Sequence, residues 1–223
     1  MSRGKLIVIE GLDGSGKATQ TDLICESLKN KGNSVCKLSF PDYNDPSSAL
    51  VKMYLNSEFG SSPEEVNAYA AASFFSVDRY ASYKRFWKDK YENGQIILAD
   101  RYTTSNAIYQ LARLEKSIWN EYITWLEDYE YGKLGLPKPD MVIYLDMPID
   151  ISQKFMTKRY DGDESKKDIY EKNVDFLKKC RNTSLYAAEK LGWKIVNCST
   201  NGQPKTIKEI SDNIENLIEE VIS

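Results

Sequence analysis

The chain has 223 residues, of which 41% are hydrophobic and 28% are charged, and its formal net charge is -3. These values predict one globular, soluble domain with a sizeable core, and they give no reason to expect binding to nucleic acid or to an anionic membrane. The chain contains no histidine, which excludes Ser-His-Asp and Cys-His nucleophilic catalysis and the usual histidine metal sites.

The first predicted element is a buried strand. The run KLIVIE, Lys5–Glu10, is short and apolar and ends in glycines, which is typical of a parallel strand covered on both faces. The next residues predict a helix from about Lys17 to Lys31. Its apolar positions place Leu23, Ile24 and Leu28 toward the core.

A second strand is expected over Ser34–Phe40, followed by a short helix over Ser48–Asn56. The stretch SSPEE then offers a helix start, with Ser62 as N-cap and Pro63 at the first helical position. This third helix should continue to about Glu92.

Three more strands complete the pattern: Gln95–Asp100, Met141–Asp146 and Trp193–Ser199. An amphipathic helix, Thr206–Ile222, closes the chain. Strands that alternate with helices predict an α/β fold with a parallel sheet and helices on both faces. The most polar stretch, Lys158–Lys167, lies between two helical segments and reads either as an exposed loop, which its composition favours, or as a mobile lid.

The cysteines are scattered, without a Cys-x-x-Cys pair or metal-ligand spacing, which predicts buried and reduced thiols. No stretch is apolar enough to span a bilayer and no signal peptide is recognisable, so the expected location is cytoplasmic. The four cysteines are Cys25, Cys36, Cys180 and Cys198.

The first motif with chemistry is GLDGSGK, Gly11–Lys17, between a predicted strand and a predicted helix. Gly14 and Gly16 allow backbone angles in which successive N–H groups converge on a phosphate, and the helix adds its positive end. Lys17 would supply a mobile cation to the outer phosphates. This context favours nucleotide binding over a simple glycine-rich turn.

The second motif follows the third strand, where Asp100 and Arg101 reach the carboxyl edge of the sheet. Open α/β folds bind ligands at this edge. Asp100 is suited to magnesium, directly or through water, and Arg101 to a bidentate grip on an anion. A surface ion pair between the two residues is the alternative.

The third motif lies in the helix that contains AYAAASFFSVDRYASYKR. Small residues beside Phe75 and Arg79 leave room for a flat ligand, on which Phe75 would stack while Arg79 binds a carbonyl edge. Periodicity alone favours a simple core role for Phe75. The core face predicted from the same spacing comprises Val66, Ala70, Phe74, Val77 and Ala81.

Together these segments resemble the thymidylate kinase family of P-loop nucleoside monophosphate kinases, which phosphorylate dTMP with ATP. The resemblance covers nearly the whole chain and depends on GLDGSGKATQ, FPDY, FFSVDR, DRYTTSNAIYQ, YLDMP and KDIYEKN, in the family's order. It implies a P-loop NTPase fold with a five-stranded parallel sheet. One domain would span residues 1–223, with a short lid at about 157–168, and would form a homodimer.

The resemblance also implies how the donor is bound. ATP would be held with Mg²⁺, which Asp100 would organise, and Lys17, Asp100, Arg101 and the lid residue Arg159 would serve catalysis. Lys158 is an equally good match for a lid cation, and Lys166 and Lys167 are weaker ones. The ATP-binding residues implied are Gly11, Leu12, Asp13, Gly14, Ser15, Gly16, Lys17, Ala18 and Thr19.

On the acceptor side, the resemblance puts Phe75 against the thymine ring and Arg79 on its carbonyl edge. Arg101 would grip the phosphate, and Tyr109 would crowd a ribose 2′-hydroxyl. Two further residues are expected at the start of the helix after the lid. The full implied set for dTMP is Asp13, Phe40, Phe75, Arg79, Arg101, Asn106, Tyr109, Asp168 and Tyr170.

Two departures from the family pattern stand out. Ala18 replaces the hydroxyl residue that commonly binds magnesium, so how the metal is held stays open. The family often has Phe-Pro-x-Arg, whereas this chain reads Phe40-Pro41-Asp42-Tyr43. What replaces the arginine charge at Asp42 also stays open, with Lys52 or a lid residue as candidates.

These departures leave two other functions to consider: a kinase for another pyrimidine nucleotide such as dUMP, and a catalytically impaired nucleotide-binding protein. An apolar pocket around the thymine methyl group would favour dTMP over dUMP by only about 1–3 kcal/mol. Retention of Lys17, Asp100 and Arg101 favours an active enzyme. Donor base preference and oligomeric state are not determined by the sequence.

Overall fold

Five parallel strands form the central sheet of the computed structural model, which describes residues 3–62, 65–163 and 167–222. Their order across the sheet is β2-β3-β1-β4-β5, and each lies within two residues of its predicted bounds. A two-stranded ribbon, β6 with β7, stands apart from the sheet. The strands are β1 Leu6–Gly11, β2 Val35–Ser39, β3 Ile96–Asp100, β4 Met141–Asp146, β5 Lys194–Asn197, β6 Ser199–Thr200 and β7 Gln203–Pro204.

Helices cover both faces of the sheet, as the alternation of elements predicts. One apolar cluster joins β1, β3 and β4 to α1 and α9, and the other joins the same strands to α2 and to the α5, α6 and α8 group. The helices are α1 Lys17–Asn30, α2 Ala49–Leu55, α3 Ala68–Ser82, α4 Lys88–Glu92, α5 Asn106–Tyr109, α6 Trp119–Glu127, α7 Ile149–Arg159, α8 Val174–Leu191 and α9 Ile207–Ile222.

The strand order places the site. The chain passes from β1 to β2 on one side of the sheet and later continues to β4 on the other side, so the crossovers diverge at β1. Ile9 of β1 pairs with Asp100 of β3, and the N–H of Arg101 donates to the carbonyl of Ile9 at 3.1 Å. The residues that follow β1 and β3 therefore meet in the crevice where open α/β sheets bind ligands.

Two helix predictions need correction. In α1, Ile24 and Leu28 are buried as expected, but Leu23 is 38% exposed because it lies one position off the buried stripe. The third helix begins at Ala68 rather than near Ser62, since the Asn67 side chain accepts the N–H groups of its first turn. Pro63 lies outside the described residues.

The predicted core face of α3 is wrong. Val77 is 41% exposed, Ala70 is exposed, and Val66, Phe74 and Ala81 are only half-buried. The buried face is the neighbouring one, which contains polar residues that pair inside the protein. The residues buried on that face include Ala68, Ala71, Ala72, Ser76, Asp78, Arg79 and Ser82.

The structure also shows the state of the four cysteines and the character of the helices. Cys25, Cys180 and Cys198 are buried free thiols, and Cys36 is free but only half-buried. Within the described ranges, no helix combines the length and apolar character needed to cross a bilayer.

Candidate active site

The phosphate-binding loop joins β1 to α1. Gly14 and Gly16 have φ of +78° and +88°, a left-handed backbone that glycine adopts without strain, and Gly16 is the N-cap of α1. A Cβ at position 14 would lie 2.4 Å from the carbonyl oxygen of Ser152 in α7. The tight packing against α7 therefore leaves no room for a side chain at position 14 unless α7 moves.

A cavity of about 490 Å³ opens above the loop. Ala18 lies on its wall and offers only a methyl group, while Thr19 is exposed on the first turn of α1 and does not line it. Gly11, Leu12 and Ser15 are buried behind the loop. The implied ATP-binding residues that do line the cavity are Asp13, Gly14, Gly16, Lys17 and Ala18.

Lys17 reaches back over the loop. Its Nζ donates to the carbonyl of Leu12 at 3.3 Å and lies 3.6 Å from Oδ1 of Asp13. Burial and the positive charge of Arg101 lower the pKa of Lys17, although Asp13 opposes them. The ammonium is thus placed at the cavity with few neutralising contacts, a position suited to an anionic ligand.

Asp100 and Arg101 do not form the simple surface pair that was the alternative. Nη2 of Arg101 donates instead to Oδ1 of Asp13 at 2.5 Å and to the hydroxyl of Tyr109 at 3.1 Å, and Nη1 donates to Oγ of Ser105 at 3.3 Å. Arg101 has a φ of +67°. Such backbone strain in a non-glycine residue is concentrated at functional sites.

Asp13 is the acceptor at the centre of this cluster. It takes the Arg101 bond and also accepts from the hydroxyl of Tyr109 at 2.8 Å. Burial by itself raises the pKa of Asp13, but the charges of Arg101 and Lys17 outweigh burial and lower it well below its usual range. The ionised carboxylate of Asp13 therefore lies between two cations, and Oε2 of the buried Glu10 lies 3.9 Å from Nη1 of Arg101.

A second, narrower cavity of about 70 Å³ continues from the first. Asp13, Arg101 and Asp168 are the charged residues that line both cavities, and they share this wall with Phe40, Pro41, Tyr43 and Leu55. Every residue that the sequence implied for the acceptor lines the narrow cavity. These residues are Asp13, Phe40, Phe75, Arg79, Arg101, Asn106, Tyr109, Asp168 and Tyr170.

Aromatic rings shape the narrow cavity. The rings of Tyr109 and Tyr170 stack with centroids 5.0 Å apart, and Phe75 meets Tyr54 edge to face at 6.3 Å. Phe75 is half-buried and contacts the core, yet it also faces the cavity. Core packing and ligand contact are therefore compatible at this position.

Arg79 and Asn106 enter the cavity from a buried polar network. Nε of Arg79 donates to Oε2 of Glu130 at 3.0 Å, and its Nη2 donates to Oε1. Nδ2 of Asn106 donates to Oε1 of Glu130 at 3.0 Å and to the carbonyl of Ala72 at 3.2 Å. Glu130 is fully buried, and it was not recognised from the sequence.

The segment predicted as a lid, 157–168, begins inside a helix. Residues 157–159 belong to α7, and of the two best lid cations Arg159 lines the larger cavity whereas Lys158 is exposed away from it. Lys167 is buried, with its Nζ 3.4 Å from Oε1 of Gln153. Lys166 lies outside the described residues.

Asp168 and Tyr170 lie in turns before α8, not at the start of that helix, which begins at Val174 after the Asn173 cap. The Asp168 carboxylate accepts the N–H groups of Tyr170 and Glu171, both at 2.8 Å. Burial and the nearby charge of Asp13 raise the pKa of Asp168 to about 7.

The segment that lacks the family arginine folds against α3. The N–H of Asp42 donates to Oδ2 of the buried Asp78 at 3.0 Å. The arginine of the pattern aligns with Tyr43, not with Asp42 as inferred from the sequence; Tyr43 lines both cavities, whereas Asp42 lines neither. Lys52 also lines the larger cavity, with its Nζ donating to the carbonyl of Tyr43 at 3.2 Å.

Glu10 is a further residue that the sequence reasoning missed. It is fully buried and accepts from the hydroxyls of Thr104 at 3.0 Å and Ser105 at 2.6 Å. Because Ser105 contacts Arg101, Glu10 supports the cluster from behind. The sequence did contain a signal for Glu10. It is an acidic residue at the end of the predicted strand Lys5–Glu10, as Asp100 is at the end of Gln95–Asp100.

Asp100 is the residue best suited to a metal ion. Its Oδ1 is buried and has no hydrogen-bond partner among the described residues, and the side chain lines the larger cavity beside Ala18. Within the described ranges, no three His, Cys, Asp or Glu side chains cluster as metal ligands. Magnesium commonly keeps several waters and takes one or two carboxylates, so this single carboxylate fits a nucleotide-bound ion.

Comparison with known proteins agrees with the geometry. Residues 9–210 match the protein-family model described as thymidylate kinase. The thymidylate kinase of Mycobacterium tuberculosis (strain CDC 1551 / Oshkosh) is 31% identical over 184 residues, which are 82% of this chain and 84% of that protein. The thymidylate kinase of Plasmodium falciparum (isolate 3D7) is 33% identical over 172 residues, which are 76% and 75% of the two chains.

A similar fold is found in the solved structure of the thymidylate kinase from Candida albicans. It superposes with a TM-score of 0.73 at 27% identity and covers 99% of this chain and 93% of that one. The five-stranded parallel sheet, the phosphate-binding loop and the family match over nearly all residues lead to one conclusion. The chain is a P-loop protein of the thymidylate kinase family.

Proposed function

We propose that the protein transfers the γ-phosphate of ATP to dTMP, giving dTDP and ADP, as a step in dTTP biosynthesis. The observation that carries the proposal is that three charged residues, Asp13, Arg101 and Asp168, line both cavities where the two meet. A nucleoside monophosphate whose base enters the narrow cavity would direct its phosphate to Arg101. That phosphate would then face the donor phosphates held by the loop.

The acceptor is recognised, in this proposal, by side chains on three elements. Phe75 of α3 covers the base, Arg79 binds its carbonyl edge, and Asn106 of α5 binds beside it. The ring of Tyr109 fills the space that a ribose 2′-hydroxyl would need. These contacts favour a deoxyribonucleotide with a carbonyl-bearing pyrimidine.

The donor side is supplied by the loop amides, the N-terminal end of α1 and Lys17. Asp100 would hold Mg²⁺ together with ATP oxygens and water, and the ion would neutralise charge on the donor phosphates. Arg159, at the end of α7, is the lid cation placed to reach the same cavity. Ala18 lacks a side-chain hydroxyl, but none of the phosphate-binding groups named here depends on that hydroxyl.

The chemistry requires positioning and positive charge more than proton transfer. The acceptor phosphate is already ionised near neutral pH, so no general base is needed and the absence of histidine has no catalytic cost. Arg101 aligns the acceptor oxygen, and Lys17, Arg101 and Arg159 stabilise the charge on the moving phosphoryl group. Asp13 and Tyr109 hold Arg101 in place.

The quaternary structure we propose is a homodimer formed through the outer face of α3. Val77 and Tyr80 of that helix are 41% and 40% exposed in the single chain, and Phe86, in the π-helical turn Tyr83–Trp87 that follows it, is 43% exposed. Contiguous exposed apolar surface marks interaction sites, and a second copy of this chain would cover it. The four free cysteines and the use of ATP support the cytoplasm as the location, and the net charge of -3 gives no support for nucleic acid as a partner.

The test is a coupled ADP-release assay with ATP, magnesium and a panel of acceptors: dTMP, dUMP, dCMP, ribothymidine monophosphate and thymidine. We expect the highest kcat/KM with dTMP, a smaller value with dUMP because the methyl contact is lost, and little turnover with thymidine. The Candida albicans relative is described as having broad substrate specificity, so the dUMP value is informative. Tight ATP binding without turnover of dTMP would contradict the proposal.

A further inference from the structure

The polar network behind the narrow cavity contains a residue that no part of the proposed chemistry uses. Glu130 is fully buried and lies in a π-helical stretch, Asp128–Lys133, that continues α6. Within it the N–H of Leu134 donates to the carbonyl of Tyr129, five residues back, at 2.9 Å. Single π-turns inside helices occur frequently at functional sites.

Glu130 determines which part of Arg79 is free to meet a ligand. A guanidinium has five N–H donors in a fixed plane. Glu130 accepts from Nε and Nη2 of Arg79, and Oγ of Ser76 lies 3.3 Å from the same Nη2. In the part of the chain that the structure describes, no acceptor contacts Nη1, so its two N–H groups remain for the cavity.

Glu130 also determines the orientation of the Asn106 amide. One end of that amide faces two acceptors, the carboxylate of Glu130 at 3.0 Å and the carbonyl of Ala72 at 3.2 Å. Neither group can donate a hydrogen, so the atom facing them must be the NH₂ group. Oδ1 of Asn106 is left as an acceptor, and no described residue donates to it.

The wall beside Phe75 therefore presents donors from Arg79 and an acceptor from Asn106. Thymine and uracil carry an acceptor at O4 and a donor at N3, whereas cytosine carries a donor at N4 and an acceptor at N3. The pattern set by Glu130 matches the first pair and opposes cytosine. We propose that Glu130 is a specificity-determining positioning residue that makes the site accept 4-oxo pyrimidines and reject cytosine, an inference that rests on the proposed function.

The decisive variant is Glu130→Gln, which keeps the shape but has one acceptor oxygen and one NH₂ group. An amide NH₂ accepts no hydrogen bond, so at either Glu130 oxygen it would oppose a donor of Arg79, and at Oε1 it would also oppose the NH₂ group of Asn106. The polar atoms that face the cavity must then turn or lose a partner. We expect kcat/KM for dTMP to fall about tenfold or more relative to that for dCMP, with KM for ATP unchanged. The matched control is Glu127→Gln, which removes an acid of α6 that pairs with Lys138 at the surface.

The outcomes separate the inference from the proposed function. If wild type fails to phosphorylate dTMP, the proposed function is wrong. If wild type turns over dTMP but Glu130→Gln lowers kcat/KM for dTMP and dCMP by the same factor, Glu130 is only structural and the inference is overturned.

A measurement on the wild-type protein covers the case in which the variant does not fold. In dTMP methylated at N3, the donor that should meet Oδ1 of Asn106 is replaced by a methyl group. We expect its kcat/KM to be about a hundredfold or more below that of dTMP. Turnover within a factor of two of dTMP would overturn the proposed orientation of Asn106 and with it the role of Glu130.

Discussion

Arg101 and Asp13, 88 positions apart in the chain, form an ion pair in which Nη2 and Oδ1 are 2.5 Å apart. The pairing of Ile9 with Asp100 brings the ends of β1 and β3 together and so places the two residues side by side. Their side chains are 14% and 18% exposed, so solvent and salt screen the pair weakly. The pair connects the phosphate-binding loop to the proposed acceptor clamp.

Arg101→Ala should affect turnover far more than folding. Loss of a positioned cation in phosphoryl transfer lowers kcat by about 10³-fold or more, while loss of one of the partners of Asp13 costs about 1–3 kcal/mol of stability, since Tyr109 and Lys17 remain beside it. Steady-state kinetics and urea unfolding measure the two effects. Arg85→Ala, which removes a pair with Asp45 at the surface, is the control and should retain activity. Activity near wild type in Arg101→Ala would show that the clamp assignment is wrong.

Ala18→Ser tests how the metal is held. Because Ala18 lines the larger cavity on the first turn of α1, a serine there would add a hydroxyl without disturbing the core. We expect the magnesium concentration for half-maximal rate to fall about two- to tenfold, since the ion gains one protein ligand. The isosteric pair Ala18→Thr and Ala18→Val separates the hydroxyl from added bulk. No difference between Thr and Val would mean that water already occupies that ligand position.

Asp168 should make stability depend on pH. Burial and the charge of Asp13 raise its pKa to about 7, whereas an unfolded aspartate titrates near about 4. The folded state therefore binds the Asp168 proton more tightly than the unfolded state does. The resulting stabilisation is fully present below about pH 4 and is lost as the pH rises to about 7. The slope is at most about 1.4 kcal/mol per pH unit.

The measurement is urea unfolding of wild type and Asp168→Asn between pH 5 and 8 without nucleotide. The free energy of unfolding of the variant, relative to wild type, should increase with pH up to about 7 and then level off. A difference that stays constant across this range would contradict the pKa shift.

Gly14→Arg should destabilise the protein although arginine is polar and the site is lined with acids. The backbone at position 14 is left-handed, and a Cβ would meet the Ser152 carbonyl at 2.4 Å. We expect a loss of about 2–5 kcal/mol in the free energy of unfolding, from strain and displacement of α7. Gly16→Ala is the matched control, because its φ is also positive but a Cβ there would have no atom of the described residues within 4 Å. Equal losses for the two variants would show that packing against α7 is unimportant.

Val77→Glu should shift the proposed homodimer toward monomers. A carboxylate on the exposed apolar face of α3 would be desolvated in the interface, which costs enough to raise the dimer dissociation constant about tenfold or more. Analytical ultracentrifugation measures the shift. The control is Phe155→Glu, since Phe155 is 42% exposed on α7 rather than α3. A wild-type protein that sediments as a monomer at all concentrations would contradict the dimer.

Local patterns in the sequence were sufficient for much of this fold. The strands β1, β3 and β4 are covered by helices on both sides, so their sequences are continuous apolar runs. The strand predicted from one such run, Met141–Asp146, has the same bounds in the structure. The glycines of the phosphate-binding loop and the segment after β3 are likewise recognisable from a few consecutive residues. They contributed to the family resemblance, which implied nine of the residues that line the narrow cavity.

Where the buried face of a helix is polar, the sequence pattern fails. The apolar stripe of α3 faces outward, and the inward face contains Ser76, Asp78 and Arg79. Burial of Arg79 is favourable only because Glu130 arrives from a distant segment to pair with it. Hydrophobic periodicity cannot detect a residue whose burial depends on a partner 51 positions away.

The sequence by itself determined the order of strands and helices, the phosphate-binding loop and nine of the residues that line the narrow cavity, because these depend on neighbouring residues and on short motifs. The tertiary structure decided how those residues are held. It alone brought Asp13 to Arg101, Glu10 to Ser105 and Glu130 to Arg79, since buried polar groups must find partners wherever the fold supplies them.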